Sequence, residues 1–269
     1  MTIAAGFRCQ DGVILAADTE MGFSGGTGKT YGSKLFELNN ELGCHLTYAG
    51  SADYAKGLVY ELKQSVRGKP WETALKSLKA TYQTYWDANS SNEPDAASIL
   101  VSLREGKKVR LYVGRNRHFH QVRQYDALGI GSEQADAIFN PLHSPWMTIA
   151  QAGYMAIYAL QKVKGLVQGC GGKTEIFEID DDPKVLPLAS FEVQDVREIE
   201  ADFEFFEQQL RPLLFAFCDL SVSKSAFQAH LRRLGSALKE RRAKNLRAHE
   251  EDLQVWAAAV RDVKGTEAS

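Results

Sequence analysis

Residues 2–18 read Thr2-Ile3-Ala4-Ala5-Gly6-Phe7-Arg8-Cys9-Gln10-Asp11-Gly12-Val13-Ile14-Leu15-Ala16-Ala17-Asp18. Two apolar runs, 3–9 and 13–17, flank the polar corner Gln10-Asp11-Gly12. That is the pattern of a β-hairpin, because an Asp-Gly pair accepts the backbone angles of a tight turn. A glycine-rich stretch follows (Gly22, Gly25, Gly26, Gly28, Gly32), then two more short apolar runs, 34–38 and 45–49, separated by Asn39-Asn40-Glu41.

Beyond residue 50 the hydrophobic period changes to 3.6. Ala55, Leu58, Leu62 and Val66 mark one helix, closed by Gly68-Lys69-Pro70, and Trp71, Leu75, Leu78, Tyr82 and Tyr85 mark a second. Strands are expected again over 98–103 and 109–113, joined by Glu105-Gly106-Lys107, and over 121–129. Helices fit 133–139 and 146–163, and after Gly169-Cys170-Gly171-Gly172 a strand fits 174–179. Runs of strands and runs of helices are segregated, which favours antiparallel sheets covered by helix pairs over a parallel βαβ sheet. From about Asp195 the pattern is helical only. Val196, Ile199, Phe203, Phe206, Leu210 and Leu213 form an apolar stripe under an acidic face. A second helix from about Lys224 carries Phe227, Leu231, Leu234 and Leu238 and a basic run over 239–247. The expected organisation is a core over 2–194 and a helical extension, a hairpin, over 195–269. The opposed charges of its two helices are expected to pair with each other or with neighbouring subunits.

Composition narrows the function classes. At 269 residues and 44% hydrophobic, the chain can bury one large core with an addition. A formal charge of −2 argues against a general nucleic-acid binder. No apolar run approaches the ~20 residues of a membrane helix, so no membrane role is expected. The N-terminus lacks the pattern of a signal peptide, and Cys9, Cys44, Cys170 and Cys218 form no CxxC pair. Reduced thiols and a cytoplasmic location are the resulting expectation.

Thr2 follows the initiator Met1. Removal of Met1 would leave an α-amine, with a pKa of ~7.7–8.0, beside the hydroxyl of the same residue, a base adjacent to its own nucleophile. Asp18 ends the second apolar run and Lys34 opens the third. A buried Lys beside Thr2 would lower the pKa of both amine and hydroxyl, and a carboxylate would keep that Lys charged and oriented. Singly, an Asp at a strand end is a turn cap and a Lys at a strand start is solvated.

In combination, Thr2, Asp18 and Lys34, with Gly6 and the run Asp11-Gly12-Val13-Ile14-Leu15-Ala16-Ala17-Asp18, resemble proteasome β-type subunits and their bacterial HslV-like relatives, which are N-terminal-nucleophile hydrolases. The resemblance extends through Lys34-Leu35-Phe36-Glu37-Leu38, Thr47-Tyr48-Ala49-Gly50-Ser51 and Gly129-Ile130-Gly131-Ser132, and spans about residues 2 to 180. It implies an α+β fold of the four-layer αββα kind and a threonine endopeptidase acting on peptides or unfolded protein. It also implies a homo-oligomeric ring, with room for an ATP-dependent unfoldase as partner and no metal or cofactor. Thr2 would be the nucleophile, Asp18 and Lys34 its electrostatic support, Gly50 the oxyanion donor and Ser132 part of the proton network. Met21, Gly32, Phe36 and Tyr48 fall at the family's substrate-pocket positions; for Phe36 and Tyr48, core packing is an equal alternative. One stretch departs from the family, which has an Asp three residues before a Ser-Gly-Gly. Here Val167 stands in place of the Asp and Cys170 in place of the Ser. That departure keeps open a weakly active or inactive structural subunit, and the shared nucleophile logic keeps open an amide hydrolase for a small molecule.

Three other motifs carry less. Residues 23–30 resemble a phosphate-binding loop, but Phe23 occupies the position that needs Gly and a strand-like run follows where a helix is required. His118 and His120 share a strand face without a metal-ligand partner. The basic run at 239–247 has no interleaved aromatics and fits a solvated helix face.

Overall fold

The computed structural model describes residues 2–22, 28–89, 96–182, 193–218, 221 and 223–266; side chains at 193, 194, 245, 246 and beyond 247 lie outside that description. Residues 23–27, the start of the loop weighed above as a phosphate cradle, also lie outside the described residues. In chain order the elements begin β1 (Ile3–Arg8), β2 (Gly12–Asp18), β3 (Glu20–Gly22), β4 (Lys29–Tyr31), β5 (Leu35–Asn39) and β6 (Cys44–Ala49). Then come α1 (Ala52–Val66), α2 (Trp71–Asn89), β7 (Ser98–Glu105), β8 (Lys108–Arg115), β9 (His118–Val122) and β10 (Tyr125–Gly129). The chain continues through α3 (Ser132–Leu142), α4 (Ile149–Leu166), β11 (Thr174–Asp180), α5 (Val193–Cys218) and α6 (Lys224–Thr266).

The architecture is α+β. β1 and β2 form the hairpin that the Asp-Gly corner dictates, with the Cys9 N–H donating to the Gly12 carbonyl at 2.8 Å. This hairpin is the centre of a four-stranded antiparallel sheet ordered β10-β1-β2-β11, and every residue of β2 is buried. A five-stranded sheet, β5-β6-β7-β8-β9, is also antiparallel throughout. Ala4, Leu15 and Ala17 of the first sheet and Leu100, Leu111 and Val113 of the second share one apolar cluster between them. Leu58 and Leu62 of α1 and Leu78 and Tyr82 of α2 pack with Leu46, Ile99 and Val101 on the five-stranded sheet. Phe139 of α3 and Ala156, Leu160 and Val163 of α4 pack with Ile3, Phe7 and Ile14 on the other. Each sheet thus buries both faces, which explains why its central strands read as nearly continuous apolar runs.

Two expectations need correction. The strand expected over 121–129 is two strands in different sheets: β9 closes the five-stranded sheet, and β10 adds to the edge of β1. Arg123 and Gln124 carry the chain across, and the Gln124 carbonyl accepts from the Arg8 N–H at 2.7 Å. The expected strand beginning at Lys34 starts one residue later, at Leu35. Within the glycine-rich stretch, β3 and β4 pair as a short ribbon, a feature with no apolar run to announce it.

The chain divides into two compact units, 1–200 and 201–269, and the division falls inside α5. In the smaller unit, Arg241 of α6 forms an ion pair with Asp202 of α5, and the Phe217 and Phe227 rings lie 6.3 Å apart. The acidic helix and the basic helix are therefore joined to each other within one chain.

Candidate functional site

Thr2 immediately precedes β1, between the two strands that flank it. Ile3 is paired with Gly129 on β10, and its N–H donates to Asp18 Oδ1 at 3.1 Å. A Cβ at position 129 would sit 2.1 Å from the Thr2 carbonyl oxygen, and Gly129 has φ +97°. Only glycine lets β10 approach Thr2 this closely. Asp18 ends β2, and the ribbon that follows turns the chain back toward it. Glu20 pairs with Tyr31, and the Gly32 N–H donates to the Thr19 carbonyl at 3.0 Å. Two residues later Lys34 lies beside Asp18.

Thr2, Asp18 and Lys34 are at most 2% exposed. The Lys34 ammonium donates to Thr2 Oγ1, to Asp18 Oδ1 at 2.5 Å and to the Glu20 carbonyl at 2.5 Å. The Thr2 hydroxyl donates to Asp18 Oδ1 at 2.5 Å. Asp18 Oδ2 accepts from the Gly171 N–H at 2.8 Å. Burial pushes the Lys34 pKa down and the Asp18 carboxylate opposes that shift. An ammonium has three donors and no acceptor, and here three acceptors meet them, so the geometry suits the charged form. A hydroxyl that accepts from an ammonium has its anion favoured, which is what a nucleophile needs.

The other expected residues fall into two groups. Met21, Gly32, Tyr48 and Phe36 are brought together. The Tyr48 hydroxyl donates to Met21 Sδ at 3.6 Å, a Cβ on Gly32 would meet the Met21 methyl at 2.6 Å, and the Phe36 and Tyr48 rings lie 6.0 Å apart. Burial, then Asp18, raises the Tyr48 phenol to about 12, so it stays a donor. Tyr48 and Phe36 also belong to the apolar cluster under α1 and α2. Gly50 follows β6, exposed and at φ +123°, before the Ser51 cap of α1. Ala49 beside it lies 3.2 Å from where a Gly129 Cβ would be, which sets the end of β6 next to the Thr2 segment. Ser132 begins α3, half-buried; among the described residues no hydrogen bond joins it to Thr2, Asp18 or Lys34.

Val167 caps the C-terminus of α4 and packs, half-buried, against the apolar cluster there. Cys170 is buried, and burial followed by Asp18 pushes its thiol up to about 12, against the pull of Lys34. The turn nonetheless reaches the site through a backbone donor, the Gly171 N–H. Glu20 and Gly171 are participants that side-chain reasoning misses. Glu20 contributes its carbonyl to Lys34 and receives Lys29 on its carboxylate at 2.8 Å, and a backbone role leaves no side-chain signature. His118 and His120 are exposed on β9. Among the described residues no group of His, Cys, Asp and Glu is placed to hold a metal, and no helix is long and apolar enough to cross a membrane.

The class defined so far is an α+β protein with a buried Thr-Lys-Asp cluster at the start of its central hairpin. The chain is similar to proteasome subunit beta 2 of Pyrobaculum neutrophilum, 27% identical over 180 residues, which cover 66% of this chain and 88% of that subunit. No family model matches the chain.

Proposed function

We propose that this protein is a proteasome-like threonine peptidase with Thr2 as nucleophile. The observation that carries the reading is the fully buried contact of Lys34 with both Thr2 Oγ1 and Asp18. Its helix-sheet-sheet-helix packing supports an αββα sandwich of the N-terminal-nucleophile kind, and the similarity to a proteasome β subunit supports the substrate class. By the same resemblance, which also takes in HslV-like peptidases, it works in the cytoplasm as a homo-oligomeric ring on peptides or unfolded chains. Delivery by an ATP-dependent unfoldase belongs to the same proposal.

In the proposed reaction, removal of Met1 frees the Thr2 amine. That amine, directly or through a water, takes the Thr2 hydroxyl proton as Oγ1 attacks the substrate carbonyl carbon. Lys34, held by Asp18 and the Glu20 carbonyl, favours the alkoxide character that develops. The Gly50 N–H receives the oxyanion, a contribution of ~2.7–4 kcal/mol for one such donor. The protonated Thr2 amine then gives that proton to the leaving nitrogen, so that collapse expels the amine product and leaves an ester on Thr2. Water, activated by the same amine, hydrolyses the ester to release the carboxylic acid and free Thr2. Ser132 serves the proton network, and Met21, Gly32, Phe36 and Tyr48 shape the pocket for an apolar side chain.

A second reading rests on residues 167 and 170. An apolar Val and a neutral thiol, a weaker donor than a hydroxyl, replace the polar support expected there, which favours a weakly active or structural subunit. One experiment separates the two: intact-protein and peptide mass spectrometry after incubation with an epoxyketone probe. The peptidase reading expects Met1 absent and the adduct on residue 2, lost together with peptide turnover in Thr2→Ala. Retained Met1, or turnover in Thr2→Ala equal to wild type, overturns it.

A further inference from the structure

Asp18 faces a second network on the side away from Lys34. Thr174, the first residue of β11, is directly opposite Asp18 in the strand register. The turn before it is held on Asp18 and Thr19, by both side chains and one backbone bond: Gly171 N–H donates to Asp18 Oδ2 at 2.8 Å, Lys173 N–H donates to Thr19 Oγ1 at 2.9 Å, and Thr19 N–H donates to the Lys173 carbonyl at 3.0 Å. Gly172 has φ +74°, and a Cβ there would lie 2.4 Å from Thr19 Oγ1, so this turn requires glycine at that position. Its outer side is held by α4 and the first turns of α5. Lys164 donates to the Thr174 hydroxyl at 2.8 Å and to the Gly172 carbonyl at 3.3 Å, and pairs with Glu200 Oε1 at 2.7 Å. The Thr174 hydroxyl donates to the same Glu200 oxygen at 2.9 Å, while Gln161 Nε2 donates to the Glu200 carbonyl at 2.9 Å.

We propose that Glu200 is a positioning residue for the Thr2 site, acting through Lys164 and Thr174 to fix the turn whose Gly171 N–H orients Asp18. The Lys164 and Glu200 side chains are 12% and 20% exposed, so the pair is largely shielded from solvent. Val167 and Cys170, at the positions where polar support would otherwise come, provide none by side-chain hydrogen bonding to Asp18. The restraint on Asp18 Oδ2 therefore runs through the turn backbone and out to Glu200. This gives the start of α5 a role in the reaction, and it rests on the reading of Thr2 as nucleophile.

The test uses the full chain with Glu200→Ala and Glu200→Gln, reading amide hydrogen exchange and peptide turnover. Glu200→Ala is expected to speed exchange at Gly171 and Lys173 about tenfold while amides of β7 and β8 keep their rates. It is expected to lower kcat about tenfold with KM changed less than about twofold, because loss of orientation acts on the chemical step. Glu200→Gln retains an oxygen for Lys164 and Thr174 and should recover most of both effects. Unchanged exchange at Gly171 and Lys173 overturns the proposal. So does faster exchange with wild-type kcat, or loss of protection that extends equally over β7 and β8. Absence of turnover and of Thr2 labelling in wild type would instead remove the peptidase reading, and the exchange measurement would still decide whether Glu200 restrains the turn.

Discussion

Lys34 and Asp18 form a buried ion pair whose two members are not equally dependent on each other. Without Lys34, Asp18 would keep donors from the Thr2 hydroxyl, the Ile3 N–H and the Gly171 N–H. Without Asp18, Lys34 would keep only the Thr2 oxygen and the Glu20 carbonyl, neither of them charged. Removing one partner of a buried pair costs about 3–5 kcal/mol, and the better-solvated survivor places the loss at the lower end. Lys34→Met is therefore expected to destabilise by about 3 kcal/mol and Asp18→Leu by about 4–5 kcal/mol in urea unfolding. The double variant should lose at least about 2 kcal/mol less than the sum of the two single losses, since it leaves no orphaned charge. Additivity within about 0.5 kcal/mol would show that the pair is not coupled as drawn.

Helix α4 shows how the central hairpin and a helix start are tied together. The Thr148 hydroxyl accepts from the Gln151 N–H at 3.2 Å, the Gln151 side chain accepts from the Thr148 N–H at 3.0 Å, and Asp11 Oδ1 accepts from the Ile149 N–H at 2.8 Å. Thr148→Ala is expected to cost about 1 kcal/mol, seen as a lower urea midpoint at unchanged slope. A midpoint within error of wild type would mean that Asp11 alone satisfies this helix end. The Asp11-Gly12 corner was legible in sequence as a turn, because turn chemistry is local; that Asp11 also caps a helix 138 residues away was not. The same division holds along the chain. Helices α1 and α2 were legible from their 3.6 period, and Thr2, Asp18 and Lys34 from their pattern together. The break between β9 and β10 was not, because residues 121–129 contain no Pro or internal Gly and the switch of sheet is decided by which edge is free. The burial of Lys34 could not be read from its position at a strand start, since it depends on the β3–β4 ribbon returning the chain to Asp18.

At the scale of the whole molecule, the balance of 34 acidic and 32 basic side chains leaves little net charge to drive a global response to pH near neutrality. Local burial decides that response instead. Glu178 on β11 is half-buried, and burial, reinforced by Asp11 and Asp180, raises its carboxyl from 4.5 to about 7. Burial raises Asp180 and Asp136 in the same direction. Between pH 4.5 and about 7 the folded chain holds a proton on Glu178 that the unfolded chain has released. The contribution of Glu178 to stability must therefore fall as pH rises through that interval, and above it the full penalty of a buried carboxylate remains. Glu178→Gln keeps the shape and removes the titration. It is expected to raise stability at pH 8 by on the order of 1 kcal/mol, a value reduced by solvent screening at the exposed edge of the side chain. At pH 4 wild type and variant should unfold at nearly the same urea concentration, because both side chains are then neutral. A gain of equal size at the two pH values would mean that the substitution acts through packing, and that Glu178 is not the group whose ionisation opposes the fold near neutral pH.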